Sequence, residues 1–406
     1  MVKIEPFEVE QWMDRYEVTP GVINIAETCA ASVSIDELVD LSRDKTAPGP
    51  LDTSKKLTYG AIPGSKALRE RVASLLDRGA SLTETRSFPP ENVIITQGAI
   101  SANFLLIYTL IGPGDHVICV YPTYQQLYDV PKSLGAEVSL WKLKEENGYI
   151  PDISELEGLV KPNTKLIIIN NPNNPTGSTT PKSVLSDMVE FARSRDITIL
   201  SDEVYSPLYH SLPADQEAPP SILTFGYNKT VATGSMSKAF ALAGIRVGWV
   251  ASRDSSLIKA VSSARDYTTI SVSQLDDQVA SYALSKEVLA SLMKRNLELA
   301  KTNLGLLAEF VDKYSQVCSW VRPTAGTTAL IKFTGKGKDG KREPVKDGEF
   351  VVDLLEETKV LVMPGSVCFG KGEDFEGTVR IGYVCHTEVL REGLEKMGAY
   401  VEQFLL

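Results

Sequence analysis

Residues 166–177 read LIIINNPNNPTG, an apolar run that ends in a turn rich in asparagine and proline. Similar short apolar runs recur along the chain, with amphipathic stretches such as residues 182–193 between them. The runs cover residues 93–95, 116–121, 166–170, 197–201, 230–233 and 247–251. Short runs rich in β-branched residues that alternate with helical stretches predict an α/β sheet covered by helices on both faces. Sheets of this kind bind ligands at the carboxyl ends of their strands.

The composition is that of a folded globular protein. Of the 406 residues, 43% are hydrophobic and 23% are charged, which excludes a disordered or collagen-like chain. The 42 lysines and arginines are outnumbered by 52 aspartates and glutamates, so the formal net charge is −10. A negative surface repels phosphate backbones and anionic lipids. We therefore expect neither nucleic acid nor a membrane as a partner.

Targeting and metal-binding patterns are not evident in the sequence. The first twelve residues carry three glutamates and no apolar signal-peptide core, which favours a cytoplasmic protein. The five cysteines are scattered and odd in number, which favours reduced thiols over disulfides. The three histidines lack the spacing of zinc ligands, so we predict no metal site.

A second lobe is predicted after the sheet. Residues 285–314 have a long helical pattern, and residues 330–333 and 360–363 have the pattern of strands. We predict an N-terminal segment (1–48) that contributes to a small domain, a large domain (49–300) and a C-terminal small domain (301–406). The sequence GKGKDG at 335–340 matches a dinucleotide-binding motif, but residues 341–344 do not resemble the helix that such a site requires. We interpret it as a solvated turn.

Four polar segments lie at the ends of apolar runs. They are TQGAIS (96–101), NNPNNPTG (170–177), SDEVY (201–205) and TGSMSK (233–238), the last followed by GIRVG (244–248). In the first segment, Gly98 and Ala99 leave the backbone N–H groups of a helix N-terminus accessible, which suits an anion such as phosphate. An ordinary tight turn explains the same glycine.

The other three segments supply side chains that could bind a ligand or take part in a reaction. The amides at 170–174 favour a polar ligand, although asparagine and proline also terminate strands. Asp202 ends an apolar run, so it should be partly buried and needs a donor or a cation, unless it only caps a helix. Lys238 is predicted at a strand-to-helix turn, where it follows the hydroxyl residues Ser235 and Ser237 and precedes Arg246 by eight residues. It could form a Schiff base with an aldehyde beside a phosphate clamp, or be an ordinary exposed lysine.

Taken together, these motifs resemble the class I/II aminotransferases of the fold-type I pyridoxal-phosphate (PLP) enzymes. The motifs occur in the family's order, and Asp202 precedes Lys238 by 36 residues, which is typical of that family. The resemblance extends from Tyr59 to Arg380. It implies a large domain with a mostly parallel seven-stranded sheet between helices, together with a smaller α+β domain. It also implies a homodimer with shared active sites.

The resemblance assigns a role to each motif residue. Lys238 would bind PLP covalently and serve as the catalytic base, Asp202 would pair with the ring nitrogen, and Tyr124 would stack on the ring. Asn174 and Tyr205 would contact the ring hydroxyl. The phosphate ligands would be Gly98, Ala99, Ile100, Ser235, Ser237 and Arg246, with Tyr59 reaching the phosphate of the neighbouring subunit. Arg380 would bind the substrate α-carboxylate, with Asn174 as a further substrate contact.

Departures from the family pattern leave the reaction open. Residues 323–328 read PTAGTT where an aromatic residue is common, which predicts a roomier, more polar substrate wall. Glu27 replaces a glycine-led turn and could bind a cationic side chain or act as a second acid/base. The chain also resembles capreomycidine synthases, so cyclisation, elimination or oxidation of an arginine-like amino acid is the alternative to transamination with a keto-acid acceptor. A PLP-sensing regulator is disfavoured because no basic DNA-binding module precedes Tyr59.

Overall fold

Helices and strands alternate along most of the chain in the computed structural model, which describes residues 4–77, 87–337 and 340–406. The helices are α1 (Glu8–Tyr16), α2 (Ile35–Asp40), α3 (Lys66–Leu76), α4 (Gly98–Leu110), α5 (Gln126–Ser133), α6 (Leu156–Leu159), α7 (Lys182–Ser194), α8 (Ser255–Arg265), α9 (Gln274–Ala283), α10 (Leu289–Lys313), α11 (Asp347–Thr358), α12 (Gly365–Gly370) and α13 (Thr387–Phe404). The strands are β1 (Ile23–Asn24), β2 (Val93–Thr96), β3 (His116–Tyr121), β4 (Glu137–Lys142), β5 (Thr164–Asn170), β6 (Thr198–Asp202), β7 (Thr230–Ser235), β8 (Gly248–Ser252), β9 (Cys318–Trp320), β10 (Thr328–Lys336), β11 (Arg342–Pro344), β12 (Val360–Leu361), β13 (Met363–Pro364) and β14 (Thr378–Gly382).

The central sheet has seven strands in the order β2-β8-β7-β6-β5-β3-β4. Strand β8 is antiparallel to both of its neighbours, and the other paired strands are parallel. The mostly parallel sheet predicted from the sequence is therefore confirmed. Sequence patterning missed β4, because this edge strand alternates polar and apolar residues and is mostly half-exposed, unlike the buried runs.

A second sheet lies in the C-terminal part, in the order β11-β10-β14-β13, with β9 also paired to β10. The first part of α10 packs in the core of the large sheet, and its second part packs in a separate core around the second sheet. The domain limits at residues 48 and 300 stay predictions. The GKGKDG segment connects the antiparallel strands β10 and β11 rather than a strand and a helix, although Lys338 and Asp339 lie outside the described residues.

Three parallel strands of the central sheet bring their polar carboxyl ends to one edge, where the antiparallel β8 begins. Asn170 of β5 lies in register with Asp202 of β6, and Asp202 lies in register with Thr233 of β7. Ser235 at the end of β7 is paired with Gly248 of β8. Because parallel strands end at the same edge, segments far apart in sequence meet there.

Candidate active site

A cavity of about 680 Å³ lies at this polar edge of the sheet, and the N-terminal helix α1 and Arg380 of β14 form other parts of its wall. The predicted site residues that line it are Glu27, Ala99, Ile100, Tyr124, Asn174, Asp202, Tyr205, Ser235, Ser237, Lys238, Arg246 and Arg380. Gly98 does not line the cavity itself, but it lies against the Arg246 guanidinium, which does. Tyr59 does not line the cavity and is 80% exposed, so within one chain it is apart from the other predicted residues.

An anion cradle occupies one end of the cavity. Helix α4 begins at Gly98 without a side-chain cap, so its first backbone N–H groups remain available to a ligand. The Arg246 guanidinium packs over Gly98, where an added Cβ would lie 3.0 Å from Nη2. Arg246 also approaches the Ser237 hydroxyl at 3.5 Å, and the Ser235 hydroxyl donates to that of Ser237 at 2.9 Å. Backbone amides, two hydroxyls and one guanidinium together suit a phosphate group.

Asp202 lines the cavity at the end of β6 and is only 3% exposed. Its Oδ2 accepts a hydrogen bond from Asn103 Nδ2 at 2.9 Å, and its Oδ1 accepts from the Val204 backbone N–H at 3.2 Å. Burial raises the pKa of Asp202 to about 6, although both hydrogen bonds act to lower it. No described residue forms an ion pair with Asp202, so this carboxylate is available to a cationic ligand atom.

Asn103 is a site residue that sequence reasoning missed. It is fully buried on α4, and its Oδ1 accepts a hydrogen bond from the Thr233 hydroxyl at 2.7 Å. That bond orients the amide so that its N–H group points to Asp202. A signal was present, because Asn103 is the only amide side chain in the apolar sequence GAISANFLLIYTL.

Lys238 lies in the turn after β7, and its amine faces a loop of the N-terminal segment. Its Nζ donates to Thr28 Oγ1 at 2.5 Å, and it lies 3.6 Å from Cys29 Sγ and 3.9 Å from Glu27 Oε1. Burial alone would lower the pKa of Lys238, but its acidic neighbours, among them the ionised Glu27, raise it above that of a free lysine. The sequence placed Lys238 where a strand leads into a helix; in the structure only a short 3₁₀ turn, Ala243–Ile245, follows.

Glu27 faces the cavity with a side chain that is 48% exposed. Its Oε1 accepts backbone hydrogen bonds from Thr28 at 2.7 Å and from Cys29 at 3.2 Å. Partial burial acts to raise the pKa of Glu27, but Lys238 and these hydrogen bonds hold that pKa below its usual value. Glu27 is therefore an ionised group beside the lysine. Burial raises the pKa of the neighbouring Cys29 thiol to about 11, which keeps it protonated.

Arg380 is 2% exposed and lies opposite the sheet edge. Its Nη1 donates to Asn174 Oδ1 at 3.3 Å and its Nη2 donates to the Ala26 carbonyl at 2.8 Å. Its Nε has no hydrogen-bond partner among the described residues. A buried guanidinium with an unsatisfied N–H and no paired carboxylate is suited to an anionic ligand group.

Two tyrosines complete the wall. The Tyr124 hydroxyl donates to Glu10 Oε1 of α1 at 2.9 Å, and the Tyr124 ring packs 4.8 Å from that of Phe7. Burial raises the pKa of Tyr205, which stays a neutral donor. Sequence patterning did not anticipate that α1 would contact this site, because the contact joins residues more than a hundred positions apart.

The segment PTAGTT does not form the roomy polar wall that the sequence predicted. Thr327 is fully buried, and its hydroxyl donates to the Thr28 carbonyl at 2.6 Å. None of residues 323–328 lines the cavity. The Thr327 hydroxyl instead holds the loop that places Thr28 in contact with Lys238.

Within residues 4–77, 87–337 and 340–406, no group of three or more His, Cys, Asp or Glu side chains could hold a metal ion. Over the same ranges, no helix is both long enough and apolar enough to cross a membrane.

Comparison with known proteins gives a consistent family relationship. The family model described as "Aminotransferase class I and II" matches residues 36–397. The chain is similar to the crystal structure of a PLP-dependent aminotransferase from Streptococcus suis 89-1591, with 38% identity, a TM-score of 0.86 and coverage of 99% of each chain.

Two curated relatives carry different functional names. An aspartate aminotransferase from Pyrococcus horikoshii is 30% identical over 77% of this chain and 76% of the relative. A capreomycidine synthase from Streptomyces vinaceus is 29% identical over 80% of this chain and 79% of the relative.

Proposed function

The chain belongs to the aminotransferase class I and II family and is a PLP-dependent enzyme, and on that premise we propose that it transfers the amino group of an L-amino acid to a keto acid. The observation that supports this most directly is the meeting of Lys238, Asp202 and the Arg246 cradle around one cavity. Asp202 ends β6, Lys238 follows β7 and Arg246 precedes β8.

The residues present fit PLP. The cofactor, when bound, supplies an aldehyde for the amino group and a protonated ring that withdraws electrons from the substrate Cα. The amides of Gly98, Ala99 and Ile100, with Ser235, Ser237 and Arg246, would hold its phosphate. Asp202, buried and without an ion pair in the described residues, would hold the proton on the ring nitrogen. Tyr124 would cover the ring face, and Asn174 and Tyr205 would contact the ring hydroxyl.

Lys238 would act as the base that removes the proton from the substrate Cα. Thr28 and Cys29 contact its amine and orient it. The raised pKa of Lys238 means that the amine must first give up a proton, and Glu27 at 3.9 Å is the nearest carboxylate. Arg380 and Asn174 would bind the substrate carboxylate, which fixes Cα beside the lysine.

A second candidate is a PLP-dependent cyclase, lyase or oxidase that acts on an arginine-like amino acid. The similarity to a capreomycidine synthase favours it, and all of the residues proposed to bind the cofactor serve either reaction. The two functions differ in the fate of the amino group, which is passed to a keto-acid acceptor only in transamination and otherwise stays on the product or is released as ammonia.

The proposed enzyme is a cytoplasmic homodimer of amino-acid biosynthesis. Support for the dimer comes from Tyr59, which is 80% exposed, with exposed Leu57 and Ile62 beside it. We propose that Tyr59 reaches the phosphate bound by the other subunit. Replacement by phenylalanine would then weaken cofactor binding in the dimer without unfolding the chain.

A keto-acid assay tests the proposed function. Holoenzyme is mixed with a panel of L-amino acids without an acceptor, and keto acid is measured by chromatography. Transamination predicts one equivalent of keto acid per site and continued turnover when a keto acid is added. The Lys238→Ala variant should lose the bound-cofactor absorption and the product, whereas the exposed control Lys286→Ala should keep both. Conversion of an amino acid without transfer of its amino group to the added keto acid would replace transamination with the second candidate.

A further inference from the structure

The structure assigns a positioning role to Glu10, which holds the aromatic ring that covers the cofactor through the hydroxyl of Tyr124. This inference rests on the proposed function, because it takes Tyr124 as the residue that stacks on the cofactor ring. It adds the first turn of helix α1 to the proposed active site, although Glu10 precedes Tyr124 by 114 residues.

The side chain of Tyr124 is held by residues of α1 and its N-terminus at two points. Its hydroxyl donates to Glu10 Oε1 at 2.9 Å, and its ring packs on that of Phe7, with the centroids 4.8 Å apart and the planes inclined by 53°. Tyr124 and Glu10 line the active-site cavity, whereas Phe7 does not. Phe7 therefore supports the Tyr124 ring from outside the cavity, and the part of the ring that lines the cavity stays free for a ligand.

Tyr124 is a protonated donor in this contact. Burial, with the Glu10 carboxylate beside the hydroxyl, raises the pKa of Tyr124 well above the usual value for tyrosine. The phenol therefore keeps its proton at neutral pH and directs it to an acceptor. A hydrogen bond to a carboxylate is charge-assisted and stronger than one to a neutral oxygen. Glu10 thus selects one orientation of a side chain that otherwise rotates about two torsions.

The helix dipole explains a glutamate in this turn but not its contact with Tyr124. Glu8 and Glu10 both lie in the first turn of α1, where the positive end of the dipole stabilises a carboxylate. Of these two, only Glu10 lines the cavity. Glu8 is therefore a comparison residue from the same helix and the same turn, with the same charge.

A buried amide fixes the start of α1 relative to Tyr124. Gln125, the next residue, is 5% exposed, and its Oε1 accepts from the Glu8 backbone N–H at 2.9 Å. Its Nε2 donates to the Pro6 carbonyl and to Asp129 Oδ2, each at 2.8 Å. Because the carbonyl and both N–H groups of this amide are used, the amide has one orientation. The start of α1 and the turn that carries Tyr124 therefore form one connected unit.

The remainder of α1 is attached to the C-terminal lobe. Trp12 Nε1 donates to the Val362 carbonyl at 3.1 Å, and Val9 packs in an apolar cluster with Phe369 of α12. These contacts anchor the helix without involving Tyr124. A variant at Trp12 therefore separates the anchoring of α1 from the support of the ring.

Two properties of the bound cofactor test the inference without substrate. Circular dichroism of the holoenzyme is measured in the absorption band of the cofactor, where the signal of an achiral chromophore depends on how the protein holds it. Equilibrium dialysis gives the dissociation constant of the cofactor. Glu10→Met has no acceptor oxygen, so we expect a changed dichroism signal and cofactor binding weakened about twofold to tenfold. Glu10→Gln keeps an acceptor oxygen and should restore most of both properties.

A double variant shows whether Glu10 acts through the Tyr124 hydroxyl. Tyr124→Phe removes the donor but keeps the ring, so it should reproduce the loss seen in Glu10→Met. In the double variant Tyr124→Phe/Glu10→Met, the loss should equal that of Tyr124→Phe alone, because the interaction is already absent.

Two controls should keep the dichroism signal and the cofactor affinity. Glu8→Met makes the same substitution in the same turn and leaves the backbone N–H that Gln125 accepts in place. Trp12→Phe removes one hydrogen bond that anchors α1 to the C-terminal lobe, so it should lower the free energy of unfolding without a change in the cofactor signal.

Three results would overturn the inference. They are an unchanged signal and affinity in Glu10→Met, a Glu10→Met loss that persists undiminished in the Tyr124→Phe background, and an equal loss in Trp12→Phe. The keto-acid assay is decided separately, because these measurements involve no substrate. A cofactor ring held through Glu10 in an enzyme that transfers no amino group would refute only transamination. A transaminase indifferent to Glu10→Met would refute only the positioning role.

Discussion

Asn103 on α4 donates a hydrogen bond to Asp202 at the end of β6 across 2.9 Å, and both side chains are buried. The Thr233 hydroxyl fixes the other end of the Asn103 amide at 2.7 Å. The carboxylate proposed to hold the ring proton is therefore oriented by a helix and a neighbouring strand. Such a network has one arrangement that satisfies all of its members.

Removal of this donor should slow amino transfer. In Asn103→Ala, the buried carboxylate loses a charge-assisted hydrogen bond, so we expect kcat to fall about tenfold to a hundredfold. The pKa of Asp202 should rise further, which moves the acid limb of the pH–rate profile to higher pH. Thr233→Val, which frees the amide to turn, should give a smaller change in the same direction. An unchanged profile in both variants would contradict the positioning role.

The stability of the cofactor-free protein should depend on Asp202. In the folded state the pKa of Asp202 is about 6, above the ordinary aspartate value of 3.8. The folded state therefore binds this proton more tightly than the unfolded state does. The tighter proton binding adds to the free energy of unfolding below pH 4. This contribution, up to about 3 kcal/mol, is lost as the pH rises toward 6. Denaturant unfolding of wild type and Asp202→Asn at several pH values measures it. A pH-independent difference between the two proteins would refute the raised pKa.

Gly98 should be required for the anion cradle. Gly98 has φ +71°, and an added Cβ would lie 3.0 Å from Arg246 Nη2. Gly98→Ala should therefore cost about 1 kcal/mol of unfolding free energy and weaken cofactor binding about tenfold. The control Gly305→Ala, where a Cβ meets nothing within 4 Å, should leave cofactor affinity unchanged. Equilibrium dialysis measures the affinity, and equal values for the two variants would count against the cradle.

The Thr28 hydroxyl should assist the lysine. Thr28→Val removes the oxygen that accepts from Lys238 Nζ at 2.5 Å, which destabilises the charged amine and lowers its pKa. We expect kcat to fall about tenfold. In the pH–rate profile, the limb that reports deprotonation of Lys238 should move to lower pH. Thr28→Ser keeps the hydroxyl and should restore both properties. A Ser variant as slow as the Val variant would show that the methyl group matters instead.

Arg380 should control substrate affinity rather than cofactor affinity. Arg380→Lys keeps the charge but loses the planar fork, so KM should rise by about a hundredfold or more. Dissociation of the cofactor should stay close to wild type, as it should in the surface control Arg391→Lys. Steady-state kinetics and cofactor titration separate the two effects. Loss of cofactor binding with unchanged KM would contradict the assignment.

The positions of most buried strands and the order of the motifs along the chain were readable from the sequence, because each of these strands is a short apolar run that stops at a polar turn. The runs at 116–121 and 166–170 therefore predicted β3 and most of β5. The edge strand β4 was missed since it is amphipathic and short-range patterning does not distinguish it from a loop. Lys238, Asp202 and Arg246 were identifiable because their motifs are local.

The amino-acid sequence by itself determined the α/β class, the ends of the buried strands and the residues proposed to hold PLP, because local apolar patterns and contiguous motifs encode them. Only the tertiary structure decided that Asn103 supports Asp202, that Thr28 meets Lys238 and that the acidic side of α1 faces the cavity. Those contacts join residues separated by about a hundred to more than two hundred positions. No local pattern specifies such pairs, since they form only when the chain packs.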